Sequence, residues 1–225
     1  MVLTRLQTQV IRKSRYPGKR IAINMDNTML FHELQFSNDQ LDAAYNAMLE
    51  GWLKALELRD IETQEHCRRV LDLTLHLAQE LGLVDQDLAQ IRRGALLHDI
   101  GKIFIPDSIL FKDGPLNAEE WTIMRKHPIY AYELLSSNNL WGQAIDIPLY
   151  HHERWDGSGY PHGLIGEQIP LSARIFSVVD TWDALLSDRP YRKAWSKYKA
   201  IAYICSEKGK SFDPLMVEIF IEKIT

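Results

Sequence analysis

The sequence predicts an all-α fold, a helical bundle preceded by one long N-terminal helix. Three observations predict it. Apolar residues recur at helical spacing after residue 60, as in Val70, Leu73, Leu77 and Leu81. Residues that start and stop helices punctuate those stretches. No run carries the alternation of a half-buried strand.

Composition narrows the class further. A chain of 225 residues holds one large domain, or a domain with an appendage. Its hydrophobic fraction of 46% is that of a globular protein. Net charge is −4, from 26 basic and 30 acidic residues, so there is no broad basic footprint for a nucleic-acid duplex. Cys67 and Cys205 read as reduced thiols, with no spacing that argues for a disulfide. No apolar run approaches the ~18 residues that span a bilayer. The basic start, with Arg12, Lys13, Arg15, Lys19 and Arg20, has no long apolar core behind it and is not a secretory signal. A cytoplasmic protein is the expectation.

Residues 1–23 are expected to be poorly ordered, or the remnant of something longer. They begin polar and basic, and Tyr16-Pro17-Gly18 is a turn signal. A mitochondrial-type presequence is the rival, but the pattern is not clearly amphipathic. Residues 24–54 predict a signalling and dimerisation helix. Phe31, Leu34, Asn38, Leu41, Tyr45, Met48, Trp52 and Ala55 step by three and four alternately, the seam of a coiled coil. Asn38 on that seam would set register, and Gly51 would make a hinge near Trp52. One amphipathic helix packed on its own domain fits the same spacing.

The domain proper is expected over residues 55–225. The first stripe ends at Gly82, and a second helix runs from about Asp85 to His98. Asn117 to Glu120 has the form of a capping box, opening a helix through Met124 and His127 to Leu135. A further helix, about Trp141 to Glu153, carries His151-His152. Asp156-Gly157-Ser158-Gly159-Tyr160-Pro161 and Gly163 read as a loop. Ala173 to Ser187 is an apolar helix interrupted by Asp180 and Asp183. Ser196 caps the next helix, Gly209 stops it, and Asp213-Pro214 opens the last, with proline at the tolerated first position.

The chemistry lies in the acids and histidines these helices carry. Ala95-Leu96-Leu97-His98-Asp99-Ile100-Gly101-Lys102 closes an apolar run with an imidazole and a carboxylate, neither of which is buried without a partner. Together they are good ligands for a divalent transition metal. Glu62 and His66 share a helical face. His127 is expected mid-helix, and Asp180 is expected to be buried behind Phe176, Val178 and Val179. Singly, each reads as an ordinary core or surface residue, as His76 and His162 do. Jointly they would bury several imidazoles and two carboxylates without a counterion, at several kcal/mol each. Helix bundles build metal sites from inward-facing side chains on several helices. Asp99 as a bridging carboxylate would let two or three ions share the set. Two such ions can activate a bridging water and support an in-line displacement at phosphorus. Lys102 and the Arg189-Pro190-Tyr191-Arg192 segment suit a phosphate substrate. Asp183 can fix an arginine or hold a base edge, and Tyr160 can orient a phosphate. Lys193 reads as a surface ion-pair residue.

Taken together, these residues resemble the HD-GYP domain, a subgroup of the HD metal-dependent phosphohydrolases, from about Ala55 to Phe220. Glu57-Leu58-Arg59-Asp60, Glu62-Thr63 and His66 are similar to its opening motif. His98-Asp99-Ile100-Gly101-Lys102-Ile103 matches its HD signature, and Ile105-Pro106-Asp107 follows. His151-His152-Glu153-Arg154-Trp155-Asp156-Gly157-Ser158-Gly159-Tyr160-Pro161 contains the Gly-Tyr-Pro signature. Ile169-Pro170-Leu171, Ala173-Arg174-Ile175, Asp180, Asp183-Ala184-Leu185 and Arg189-Pro190-Tyr191-Arg192 complete the match.

The resemblance implies an HD-type helical bundle that hydrolyses cyclic di-GMP to pGpG, and often on to GMP, by metal-activated hydroxide. It implies one metal held by His66, His98, Asp99 and Asp180, and a second held by Asp99, His127, His151 and His152. Glu62 with His66 marks the subset able to take a third. Iron or manganese is the implied metal. Lys102, Tyr160, Asp183, Arg189 and Arg192 carry over as substrate contacts, with Asp99 and Lys102 at the reacting centre. Residues 24–54 look like the helix that follows a GAF-type sensor, which implies a homodimer through that helix. The Gly-Tyr-Pro loop is an expected surface for a protein partner. The rivals are an HD-type hydrolase of another cyclic dinucleotide or of a nucleotide such as (p)ppGpp or a dNTP, and a weakly active cyclic di-GMP receptor or docking module.

Overall fold

The computed structural model describes residues 17–57, 64–137, 140–188 and 192–224. The expectation for residues 1–16 lies outside them. Helix α1 spans Pro17–Glu57. It opens upstream of the expected Asn24 because Pro17 occupies the first turn, where its missing N–H leaves no bond unmade. Pro17 and Gly18, read as part of a turn signal, therefore lie within a helix.

The chain divides into two compact units, Met1–Met48 and Leu49–Thr225. In the first, Met29, Leu30, Phe31, Leu34, Phe36 and Leu41 are each more than half exposed, so Phe31, Leu34 and Leu41 of the seam lie bare along with apolar residues off it. The second begins with buried Leu49 and with Trp52, whose ring meets Trp141 at 5.6 Å.

Within the second unit, α2 (Gln64–Glu80) runs until Gly82, whose φ of +79° turns the chain. Helix α3 (Asp85–Leu96) stops before the expected His98. His98 and Asp99 lie in the turn beyond it, leading into a 3-10 turn at Ile100–Phe104. A short α4 (Asp107–Leu110) precedes α5 (Ala118–Met124). Asn117 caps α5 in a full capping box with Glu120.

The single helix expected to run to Leu135 is broken. Helix α6 (His127–Leu135) starts anew, because Pro128 has no N–H for the Met124 carbonyl. That carbonyl instead accepts from Nδ1 of His127 at 2.9 Å. His127 is thus the first residue of a helix, not a mid-helix one. The helix expected to span Trp141 to Glu153 is likewise shorter: a 3-10 turn at Gly142–Ile145, then α7 (Asp146–Tyr150), with the two histidines past its end. The Gly-Tyr-Pro loop follows, with a cis Tyr160–Pro161 bond and a 3-10 turn at Gly166–Gln168.

Helix α8 (Leu171–Leu186) is the central one. It packs against α2, α7, α9 (Lys197–Ser206) and α10 (Pro214–Ile224). Its Ile175, Phe176, Val178 and Val179 are fully buried among Val70, Leu77 and Phe220. No strand occurs among the described residues, only isolated bridges such as Asp156 with Ile165.

One glycine decides how the His98-Asp99 turn and the start of α6 meet. A Cβ on Gly101 would lie 1.9 Å from the His127 carbonyl oxygen and 2.7 Å from the Ala131 backbone nitrogen. Only a hydrogen at that position lets the 3-10 turn after Asp99 lie directly on the start of α6. Gly101→Ala is therefore expected to destabilise the domain by about 2 kcal/mol or more, read as a lower midpoint in urea unfolding. A midpoint within error of wild type would show that the two segments need no such contact.

Candidate metal centre

Five histidines and two aspartates come together where α2, the α3 turn, α6, α7 and α8 converge. Their usable ligand atoms fall in two groups. Asp99, His127, His151 and His152 form one, and His66, His98 and Asp180 form the other, with the atoms in each within 4.8 Å of one another. Asp99 stands between them. Its Oδ1 lies 3.3 Å from His127 Nε2 and 3.8 Å from His151 Nε2. Its Oδ2 lies 3.0 Å from His98 Nε2 and 2.7 Å from the Lys102 ammonium.

The imidazoles are aimed from behind. Nδ1 of His98 donates to the Ala95 carbonyl at 2.9 Å, and Nδ1 of His151 donates to the Ile147 carbonyl at 3.0 Å. His127 uses the Met124 carbonyl in the same way. A carbonyl only accepts, so each of these rings carries its proton on Nδ1 and turns a lone pair on Nε2 inward. Nε2 of His127 and Nε2 of His151 therefore face each other at 3.4 Å, with the Asp99 oxygen beside them. Electron pairs so gathered, with no proton between them, fit a cation. The outward Nδ1 anchors are the arrangement metal-bound histidines use.

Charge agrees with that donor set. Burial would raise the Asp99 carboxyl, but the Lys102 ammonium beside it holds it well below the usual range, so it stays ionised. Burial lowers His127, takes His151 down to about 3, and lowers His152 strongly as well. These rings are neutral at physiological pH, the form that binds metal. The Phe176 ring, 4.9 Å from that of His98, makes an apolar floor.

His66 is anchored differently. Its Nδ1 lies 2.7 Å from Asp183 Oδ2, while Arg69 grips the same carboxylate with Nε at 2.6 Å and Nη2 at 2.9 Å. Asp183, expected at the substrate, is thus turned toward His66 and Arg69 in this structure. Of its two expected options, fixing an arginine is the one realised. Asp180 faces His66 Nε2 at 3.6 Å. Its side chain is 24% exposed, not buried as expected, because it lies at the open side of the cluster.

Glu62 and Arg189 lie outside the described residues. Arg192 donates to the Ala184 carbonyl at 2.5 Å and stacks on Trp195 at 5.1 Å. Tyr160 stacks on His152 at 4.7 Å. Burial raises its phenol, which stays protonated. His76 pairs with Glu80 and His162 is exposed, both away from the cluster.

Sequence reasoning missed two supports. Arg69 sits three residues after His66, and its spacing carried the only signal. Glu153 follows the histidine pair directly, and its buried carboxylate accepts from the backbone N–H groups of His162 (2.7 Å), Gly163 (3.2 Å) and Leu164 (3.1 Å). It ties the Gly-Tyr-Pro loop down beside the cluster. A Cβ on Gly159 would come within 2.5 Å of the Glu153 Cα, so the loop closes only with glycine there.

Comparison with known proteins agrees with this geometry. The HD-domain family model matches residues 53–216. The chain is 40% identical over 213 residues to the cyclic di-GMP phosphodiesterase response regulator RpfG of Xanthomonas campestris, covering 94% of this chain and 55% of that one. It is 39% identical over 204 residues to the 3'3'-cGAMP-specific phosphodiesterase 2 of Vibrio cholerae, covering 90% of this chain and 38% of that one. The chain thus spans about half or less of the length of these curated relatives. The solved HDG"Y"P protein of Bdellovibrio bacteriovorus shares the fold, with a TM-score of 0.60 and 22% identity over 76% of this chain and 56% of that one.

The Arg69–Asp183–His66 arrangement carries a pH signature. Burial alone would raise the Asp183 carboxyl, but hydrogen bonds from Arg69 and His66 overcome this and hold it at about 2. A depressed carboxyl stabilises the fold fully above its ordinary range near 4, and that contribution fades as pH falls through about 2. In metal-free protein, Asp183→Asn is expected to be less stable than wild type at pH 6. That gap should shrink by about 2 kcal/mol between pH 5 and 2 in urea titrations. A gap independent of pH would mean that Asp183 is not ionised there.

Proposed function

The chain belongs to the HD-domain family, within its HD-GYP group, and from that premise we propose that it is a metal-dependent phosphodiesterase of cyclic dinucleotides. Cyclic di-GMP is the proposed substrate, and pGpG and then GMP are the proposed products. The observation that carries this reading is the split Asp99 carboxylate, one oxygen toward each histidine group. It supports two cation sites, each of which would draw on Asp99. His66, His98 and Asp180 would complete one site, and His127, His151 and His152 the other. A third ion would call on Glu62. The mixed imidazole and carboxylate donors support iron or manganese.

Two such ions, when bound, lower the pKa of water and stabilise charge in an in-line displacement at phosphorus. The reaction adds water across one P–O3′ bond, leaving a 5′-phosphate and a free 3′-hydroxyl. The chain's own groups do the rest. Lys102, held at 2.7 Å from Asp99, puts an ammonium where phosphoryl charge grows. Tyr160, protonated and beside His152, donates its O–H to a phosphate oxygen. Phe176 and the buried rings keep bulk water from the floor. Arg189 and Arg192 are the proposed guanine or phosphate contacts, with Arg192 exchanging the Ala184 carbonyl for substrate. Asp183 is proposed to act on substrate only through the residues it holds. The Vibrio relative, named for 3'3'-cGAMP, supports that dinucleotide as the second candidate.

The apolar seam on α1 supports a homodimer through that helix, and the loop around Tyr160 is the proposed surface for a protein partner. Deleting residues 1–48 is expected to turn a dimer into a monomer in sedimentation equilibrium. An unchanged mass would remove the helix from the interface. Asp99→Ala is expected to cut metal content and cyclic di-GMP turnover by at least ~100-fold, read by elemental analysis and product chromatography. Normal turnover in that variant would overturn the metal assignment. Tight binding without product in metal-loaded wild type would make the protein a receptor.

A further inference from the structure

Beyond the residues already assigned, one cation stands at the edge of the centre. Arg125 ends α5, in the break that Pro128 forces two residues before His127. Its guanidinium carbon lies 5.4 Å from the centroid of Tyr160 and 6.0 Å from that of Trp121. Tyr160 in turn stacks on His152, and the His152 ring is 5.0 Å from that of His127. The row runs from exposed Trp121, through Arg125 and Tyr160, to the metal-ligand cluster.

Among the described residues no carboxylate pairs with Arg125. Lys102, by contrast, is engaged with Asp99. A guanidinium set over ring faces makes no hydrogen bond to them, so its N–H groups are left to meet two oxygens of a phosphate. A cyclic dinucleotide carries two phosphodiesters, and the centre acts on one at a time. We propose that Arg125 binds the phosphodiester that is not being cut, with Trp121 and Tyr160 holding its plane. This rests on the cyclic-dinucleotide reading above. It makes Arg125 a residue that selects for substrates with a second phosphate, since a simple diester offers that group nothing to hold.

The test compares Arg125→Gln and Arg125→Lys with wild type in the full, manganese-loaded chain. The substrates are cyclic di-GMP, 3'3'-cGAMP and bis(4-nitrophenyl) phosphate, which has a single phosphate. For Arg125→Gln, KM for the cyclic dinucleotides should rise on the order of tenfold, with the loss falling on KM and not kcat. The ratio of kcat/KM for the cyclic dinucleotide to that for the single-phosphate ester should fall by a similar factor, and Arg125→Lys should recover part of it. An unchanged KM for cyclic dinucleotides, or an equal loss on all three substrates, would overturn the role of Arg125 and leave the substrate reading standing. Wild-type cleavage of the simple ester with none of either cyclic dinucleotide would overturn the substrate reading and this inference together.

Discussion

The buried carboxylate of Asp99 joins groups from segments far apart in the chain. It is ionised, nearly dry, and touched by His98, Lys102, His127 and His151. A lone carboxylate would not keep its charge at that depth. It does so here because the Lys102 ammonium sits at one of its oxygens. The centre and the bundle around it are therefore a single electrostatic problem, which the chain answers by gathering donor groups that could hold a cation.

Broken helices supply much of the precision. Pro128 leaves the Met124 carbonyl without its helical donor, and the His127 ring takes that carbonyl. At the end of α7 the Ile147 carbonyl receives the His151 ring, and at the end of α3 the Ala95 carbonyl receives that of His98. Helix ends carry carbonyls with no helical partner of their own, although the Ile147 carbonyl also accepts the backbone N–H of His151. Each one used here orients an imidazole without a dedicated polar side chain, so the rest of the shell can stay apolar around Phe176. His66 is the exception, relying on Asp183 and Arg69 at the more open side of the cluster.

The substrate side follows a different logic. The Gly-Tyr-Pro loop has little core of its own and is tied by hydrogen bonds. Glu153 gathers three backbone N–H groups, and Asp156 accepts from Ser158 at the loop's other end. That rigidity keeps Tyr160 over His152 and lets Arg125 lie against its ring. The proposed substrate contacts can thus vary along the rim while the buried histidines and Asp99 stay as they are.

The helical class was legible in periodicity, in the capping box at Asn117, and in the glycines at 82 and 209 that close helices. The candidate ligands were legible as acids and histidines set in apolar surroundings. The breaks were less so. Pro128 and Pro148 stand in runs with good helical spacing, and only packing decides whether a proline bends a helix or ends one. Arg69 and Glu153 were passed over because a surface helix carries many arginines and a loop many acids. What set these two apart is the partner each one meets in space.

The amino-acid sequence by itself determined the helices, the donor types and the family they resemble, because these depend on local spacing and on side-chain chemistry. Tertiary structure alone decided that Asp99 faces both histidine groups, that Asp183 turns to His66, and that Arg125 lies on Tyr160. These are contacts between segments distant in the chain. Close backbone approaches, such as that of Gly101 to His127, create them, and no local pattern encodes such an approach.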